Sequence, residues 1–133
     1  MRRATLREEV RDMRERMRKE LSKALPSEFN LKQDPGGIAD IEFLAQYWAL
    51  QWAERYAAVA MFSDTIRQLE SLASADLVSQ TTVDVLTGAY RSYRACVHHL
   101  ALEGREAVVC DADFVAERAA VVRIWNATMQ PER

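Results

Sequence analysis

The chain has 133 residues, 49% of them apolar, with four glycines, three prolines and a formal net charge of −2. That length suits one domain with one sizeable core, and scarce Gly and Pro beside abundant Ala, Leu, Arg and Glu favour helices over a sandwich or barrel. Cys96 and Cys110 lack the paired spacing of a zinc site or disulfide frame, and the longest apolar stretch is broken by Gln46, Gln51, Glu54 and Arg55, so no membrane span is expected.

The first 23 residues carry nine basic and five acidic side chains, and the rest nine basic and fifteen acidic. A basic start of this kind raises nucleic acid or a membrane as partners. Glu8, Glu9, Asp12, Glu15 and Glu20, however, interleave with the arginines at spacings that pair along a helix. A solvated or domain-facing helix is therefore the preferred reading, with neither nucleic acid nor membrane as partner. The opening residues lead into this charged pattern and not into the apolar core of a signal peptide, which places the chain in the cytoplasm with reduced thiols.

Within residues 5–25, Leu6, Val10, Met13, Met17 and Leu21 form one narrow apolar stripe, and Pro26 ends the helix. Residues 29–37 make an irregular elbow: a short, at best extended piece, Phe29-Asn30-Leu31-Lys32, followed by an Asp34-Pro35-Gly36-Gly37 turn. The next helix, residues 38–62, is apolar on most faces, including Ile41, Leu44, Trp48, Tyr56 and Val59, and should be central. Ser63 can cap a third helix through Ile66, Leu69 and Leu72. In the fourth, residues 81–103, Val83, Leu86, Tyr90, Tyr93, Val97 and Leu100 alternate three and four apart as a packing seam, and Gly104 stops it. Asp113 can cap a fifth helix carrying Phe114, Val121, Val122, Trp125 and Met129, with Pro131 past its end. The expected fold class is all-α, a single domain over residues 1–133 made as a bundle of about five helices.

Three groups of residues could carry chemistry. Asp111-Ala112-Asp113 has the spacing of a carboxylate pair that holds Mg²⁺, but such pairs sit on a strand after a Gly-Ser turn. Here no strand is expected before it, and helix capping is preferred. His98 and His99 diverge by about 100° on a helix and cannot grip one ion together. His99 and Glu103 could do so, although no third ligand is evident. No metal site is therefore assigned, and no catalytic residue. The elbow, with Lys32, Asp34, Gly36 and Gly37 ahead of a helix N-terminus, could hold phosphate on free N–H groups. Asp40 and Glu42 in the first turns would repel it, and favour a structural corner or an edge that binds a cation or an arginine.

The string from Leu31 to Phe43, with Gly36-Gly37-Ile38 and Asp40-Ile41-Glu42-Phe43 followed by Gln46-Tyr47, resembles the signature after the second nucleotidyltransferase domain of bacterial glutamine synthetase adenylyltransferases. The charged helix over residues 6–18 resembles the family's preceding helix. Ser63-Asp64 with Ile66-Arg67 and Leu69-Glu70, and Ala89-Tyr90 with His98-His99-Leu100-Ala101-Leu102, match further family stretches. The likeness extends to about Trp125. Asn30 stands where the family usually has Asp, and Thr65 where it has Asn, which puts in doubt any acid role at position 30.

The resemblance implies an enzyme that moves AMP from ATP to a tyrosine of glutamine synthetase and removes it at a second site, under control of the PII signal-transduction protein and glutamine. ATP and Mg²⁺ belong to catalytic sheets absent from this chain. What remains resembles the helical C-terminal domain, also shared with PII uridylyltransferases, with no cofactor and no catalysis of its own. Its expected partners are the nucleotidyltransferase domains of the same protein, glutamine synthetase and PII. Lys32, Asp34, Gly36, Gly37, Asp40 and Glu42 are read as the edge that docks on the catalytic domain or borders its active site. The alternatives are an elbow that merely caps the second helix and, for the whole chain, a freestanding helical interaction module.

Overall fold

The computed structural model describes residues 5–22, 25–53 and 61–130. The chain runs α1 (Leu6–Leu21), β1 (Glu28–Asn30), α2 (Ile38–Ala53), α3 (Thr65–Ser74), α4 (Gln80–Leu102), β2 (Val108–Cys110) and α5 (Val115–Met129). Among the described residues the bundle of five helices expected from periodicity is present, with a small two-stranded sheet added.

Helix α2 packs against α1, α3, α4 and α5 and supplies much of the core, with Ile41, Leu44 and Ala45 wholly buried. This is what an all-round apolar helix does. Its described part ends at Ala53, and Met61 and Phe62 are already non-helical; Tyr56 and Val59 lie outside the described residues, as does Pro131. Wholly buried Gln68 of α3 accepts from the Phe62 N–H at 2.7 Å and fixes the entry into α3.

The helix ends follow capping chemistry with small shifts from expectation. The Thr5 hydroxyl accepts from the Glu8 N–H and starts α1, whose helix ends at Leu21, short of Pro26. Asp64, not Ser63, caps α3 by accepting from Arg67 N–H at 3.0 Å. Ser79 caps α4. Gly104 at φ +70° ends it, and the Arg105 N–H closes onto the Leu100 carbonyl at 2.9 Å.

Asp113 does not cap α5. The cap position is Phe114, in the left-handed region at φ 59° with no side-chain capping bond, and Asp113 stands exposed in the turn before it. A left-handed aromatic residue costs about 1–2 kcal/mol. Packing offsets it here: the Phe114 ring meets Tyr93 edge to face at 5.3 Å.

Strand β2 has no counterpart in the sequence reading. It pairs antiparallel with β1, Phe29 opposite Val109, and bonds from Leu31 N–H to the Ala107 carbonyl and from Asp111 N–H to the Ser27 carbonyl extend the ladder. The elbow is thereby stitched to the α4–α5 connection, with Phe29 and Leu31 wholly buried.

The α1 stripe is only partly an inner face. Leu6 and Val10 pack against the core, while Met13 and Leu21 are more than half exposed and Arg14 takes the buried place instead. The charged face is not simply solvated either. Arg7 and Arg11 donate to the carbonyls of Gln130 and Met129 at the end of α5, where the helix dipole favours cations. Arg18 pairs with Glu15 as the local spacing suggests. Among the described residues no helix is long and apolar enough to cross a membrane.

Candidate functional site

The elbow is a corner whose backbone is held by side chains of the same chain, although the Gln33 side-chain oxygen is buried with no partner among the described residues. The Asn30 side-chain oxygen accepts from the N–H groups of Lys32 (3.0 Å) and Gln33 (2.9 Å), an Asx turn that bends the chain out of β1. An Asp at this position could accept the same two bonds, so the departure from the family residue keeps the turn. The Asp34 carboxylate accepts from the Asn30 N–H at 2.8 Å and from the Ser22 hydroxyl, tying the corner to the end of α1.

The two glycines are required for different reasons. Gly36 sits at φ +85°, and a Cβ there would lie 2.8 Å from the Arg118 carbonyl oxygen. Gly37 allows a close approach: a Cβ would lie 2.6 Å from the Leu31 oxygen and 3.0 Å from that of Asp34. The Ile38 and Ala39 N–H groups donate to the Leu31 and Lys32 carbonyls, and that of Gly37 to Asp34. These donors at the start of α2 are occupied by the chain's own carbonyls, so the elbow does not offer them to a phosphate.

Asp40 closes the corner from inside. One of its oxygens accepts from Arg14 Nε at 2.7 Å and the other from the Gly36 N–H at 2.8 Å. The pair is almost sealed from solvent, with side-chain exposures of 3% for Arg14 and 6% for Asp40, so it counts as a buried ion pair. Arg14 also donates to the Gln33 carbonyl and lies over the Phe43 ring, while its Nη1 has no hydrogen-bond partner among the described residues. Burial pushes the Asp40 carboxyl above its ordinary value, against the opposing pull of Arg14 and the Gly36 N–H. The arginine that the acidic first turn invites thus comes from α1 of the same chain.

Of the six elbow residues singled out, Gly36, Gly37 and Asp40 are buried and turned to internal structure, and Asp34 is half-buried. Lys32 is exposed, and Glu42 is half-buried and accepts from the Tyr90 hydroxyl at 3.2 Å. The residue that sequence reasoning missed is Arg14. Its signal was its place on the apolar stripe, four after Val10 and three before Met17.

The other candidates stay apart. Asp111 and Asp113 are exposed in the turn after β2; a strand does precede them, but it is a three-residue edge. His99 Nε2 lies 3.1 Å from Glu103 Oε1 on the surface of α4. No group of three or more His, Cys, Asp or Glu gathers for a metal among the described residues.

The fold and the corner define a mostly helical bundle built on a glycine corner behind a charged helix, and comparison with known proteins gives its kinship. A sequence model described as GlnD PII-uridylyltransferase matches residues 4–109. Over 128 residues, 96% of this chain, it is 43% identical to the bifunctional glutamine synthetase adenylyltransferase/adenylyl-removing enzyme of Thioalkalivibrio sulfidiphilus. It is 45% identical to the enzyme of the same name from Hahella chejuensis over 92% of this chain, and 42% identical to that of Pseudomonas aeruginosa over 91%. The chain belongs to this family, with glutamine synthetase adenylyltransferases as its relatives. It spans only 13–14% of the length of the enzymes it matches.

Proposed function

We propose that this chain is the helical domain following the second nucleotidyltransferase domain of a glutamine synthetase adenylyltransferase, and that it supports and regulates AMP transfer from ATP to glutamine synthetase. The observation that carries the reading is the corner: Arg14, Asp40, Gly36 and Gly37 fix its backbone from within, while Lys32 stays exposed on its rim and Glu42 stands beside it. A backbone held that firmly suits a docking edge, because little ordering entropy remains to be lost on contact. The partner on that edge is the catalytic domain of the same protein, which supplies the carboxylate-bearing sheet, Mg²⁺ and ATP. Glutamine synthetase is then the protein acted on in the cytoplasm, PII and glutamine are the controlling inputs, and the chain alone does no chemistry.

The test is made in the full-length enzyme with Lys32→Ala and Glu42→Gln combined, two side chains outside the buried pair. Adenylylation of glutamine synthetase should fall about tenfold or more, as misplacement of a supporting element does, with the melting temperature unchanged. Full activity in the stably folded variant would overturn the docking reading, and AMP incorporation by this chain alone would overturn its non-catalytic role.

A further inference from the structure

We propose that the cleft between the elbow and α4 is a binding site for a phosphate-bearing small molecule. The cleft encloses about 460 Å³ and has an apolar floor that includes Met17, Ile38 and Val97. Lys32 from the elbow and Arg94 and His98 from α4 stand on its walls. The volume falls in the range of small-molecule pockets, and an apolar floor with a few converging polar groups is their usual make-up.

What sets these three side chains apart is that, without an anionic partner among the described residues, they line one cleft. Elsewhere Arg18 pairs with Glu15 and Arg105 with Glu103, while Arg16, Lys19 and Arg123 stand exposed on helix surfaces with no ion pair among the described residues. Lys32, Arg94 and His98 make no ion pair or side-chain hydrogen bond among the described residues, and Arg94 is steadied over the Tyr90 ring at 5.9 Å. Glu42, an acid in the cleft lining, accepts from the Tyr90 hydroxyl, which leaves its negative charge in place, and Lys32 and Arg94 together outnumber that charge. A second cleft of about 380 Å³ adjoins at Glu42 and Arg94 and brings Arg91 to the same trough. Unpaired donors converging in a concavity fit phosphate oxygens, which take charge-assisted bonds from Lys and Arg. The apolar floor gives a flat organic portion somewhere to lie, so a nucleotide should bind better than a bare polyphosphate. The site uses side chains and not the start of α2; it shares Lys32 and Glu42 with the proposed docking edge, so it is tested on this chain without the catalytic domain.

The experiment is hydrogen–deuterium exchange on this chain with sodium pyrophosphate in one arm and adenosine triphosphate in the other, at constant ionic strength and up to about 10 mM, where weak sites still fill. Protection is expected in peptides covering 32–42 and 94–101. Arg94→Gln with His98→Gln should weaken it by roughly tenfold, the effect of losing charge-assisted bonds, and Lys32→Gln should weaken it separately. Arg105→Gln, which removes one charge outside the cleft, should leave it within about twofold. Tighter nucleotide than pyrophosphate binding supports use of the floor; equal binding reduces the site to its phosphate contacts and overturns the nucleotide preference. No protection in those peptides in either arm, or equal weakening by Arg105→Gln, would overturn the site.

Discussion

The corner at residues 30–40 and the seam around Tyr93 hold the same bundle together by opposite means. The corner is built from few, directional, mutually dependent groups: a buried ion pair, an Asx turn and two glycines in close backbone approach. The seam is built from area. Tyr93 is wholly buried, with Phe29 and Phe114 packed edge to face on it at 5.8 and 5.3 Å, and among the described residues no hydrogen-bond partner reaches its hydroxyl. A polar corner defines one geometry and fails when half of it is removed, because the remaining half is a buried charge. An apolar seam weakens gradually, in proportion to the side-chain volume taken out of it. A fixed shape is therefore concentrated at the corner, which carries the exposed rim, while the seam only has to stay packed.

Substitutions can press the contrast. Asp40→Ala should be the most damaging, costing about 3–5 kcal/mol in urea unfolding, because Arg14 is left buried without its acid. If Asp40 merely complemented the helix dipole, the loss would be about 1 kcal/mol or less. Gly36→Ala should cost about 1–3 kcal/mol, from a left-handed φ and the clash with the Arg118 carbonyl; a stability equal to the parent would show that the turn relaxes freely. Tyr93→Phe should change least, within about 1 kcal/mol and in either direction, since it removes a buried hydroxyl that has no partner. A loss above that would place an ordered water on the hydroxyl.

Legibility in the sequence divides along the same line. The five helices are legible because a 3.6-residue period repeats over many positions, and the elbow because Pro35, Gly36 and Gly37 break that period. The seam is legible in part: Val83, Leu86, Tyr93 and Leu100 are buried, while Tyr90 and Val97 sit half-buried at its margin. Strand β2 is not legible, because three residues carry no period and their partner lies some 80 residues earlier. The role of Arg14 is hidden because local charge spacing suggests neighbours along a helix and is silent about an acid 26 positions away. Asp113 has the right residue type for a cap, but packing of Phe114 on Tyr93 sets the start of α5 one residue later. Family membership is legible in the strings that fill the corner, where directional contacts restrict the residues allowed.

If Arg14 and Asp40 act as one unit that locks α1 to the elbow, their substitutions must be strongly coupled. A double-mutant cycle with Arg14→Met, Asp40→Leu and their combination, read by urea unfolding, measures that coupling. Each single change should cost about 3–5 kcal/mol, and the double variant should recover most of that loss because no buried charge is then left unpaired. Single losses that simply add, within about 0.5 kcal/mol, would contradict the lock.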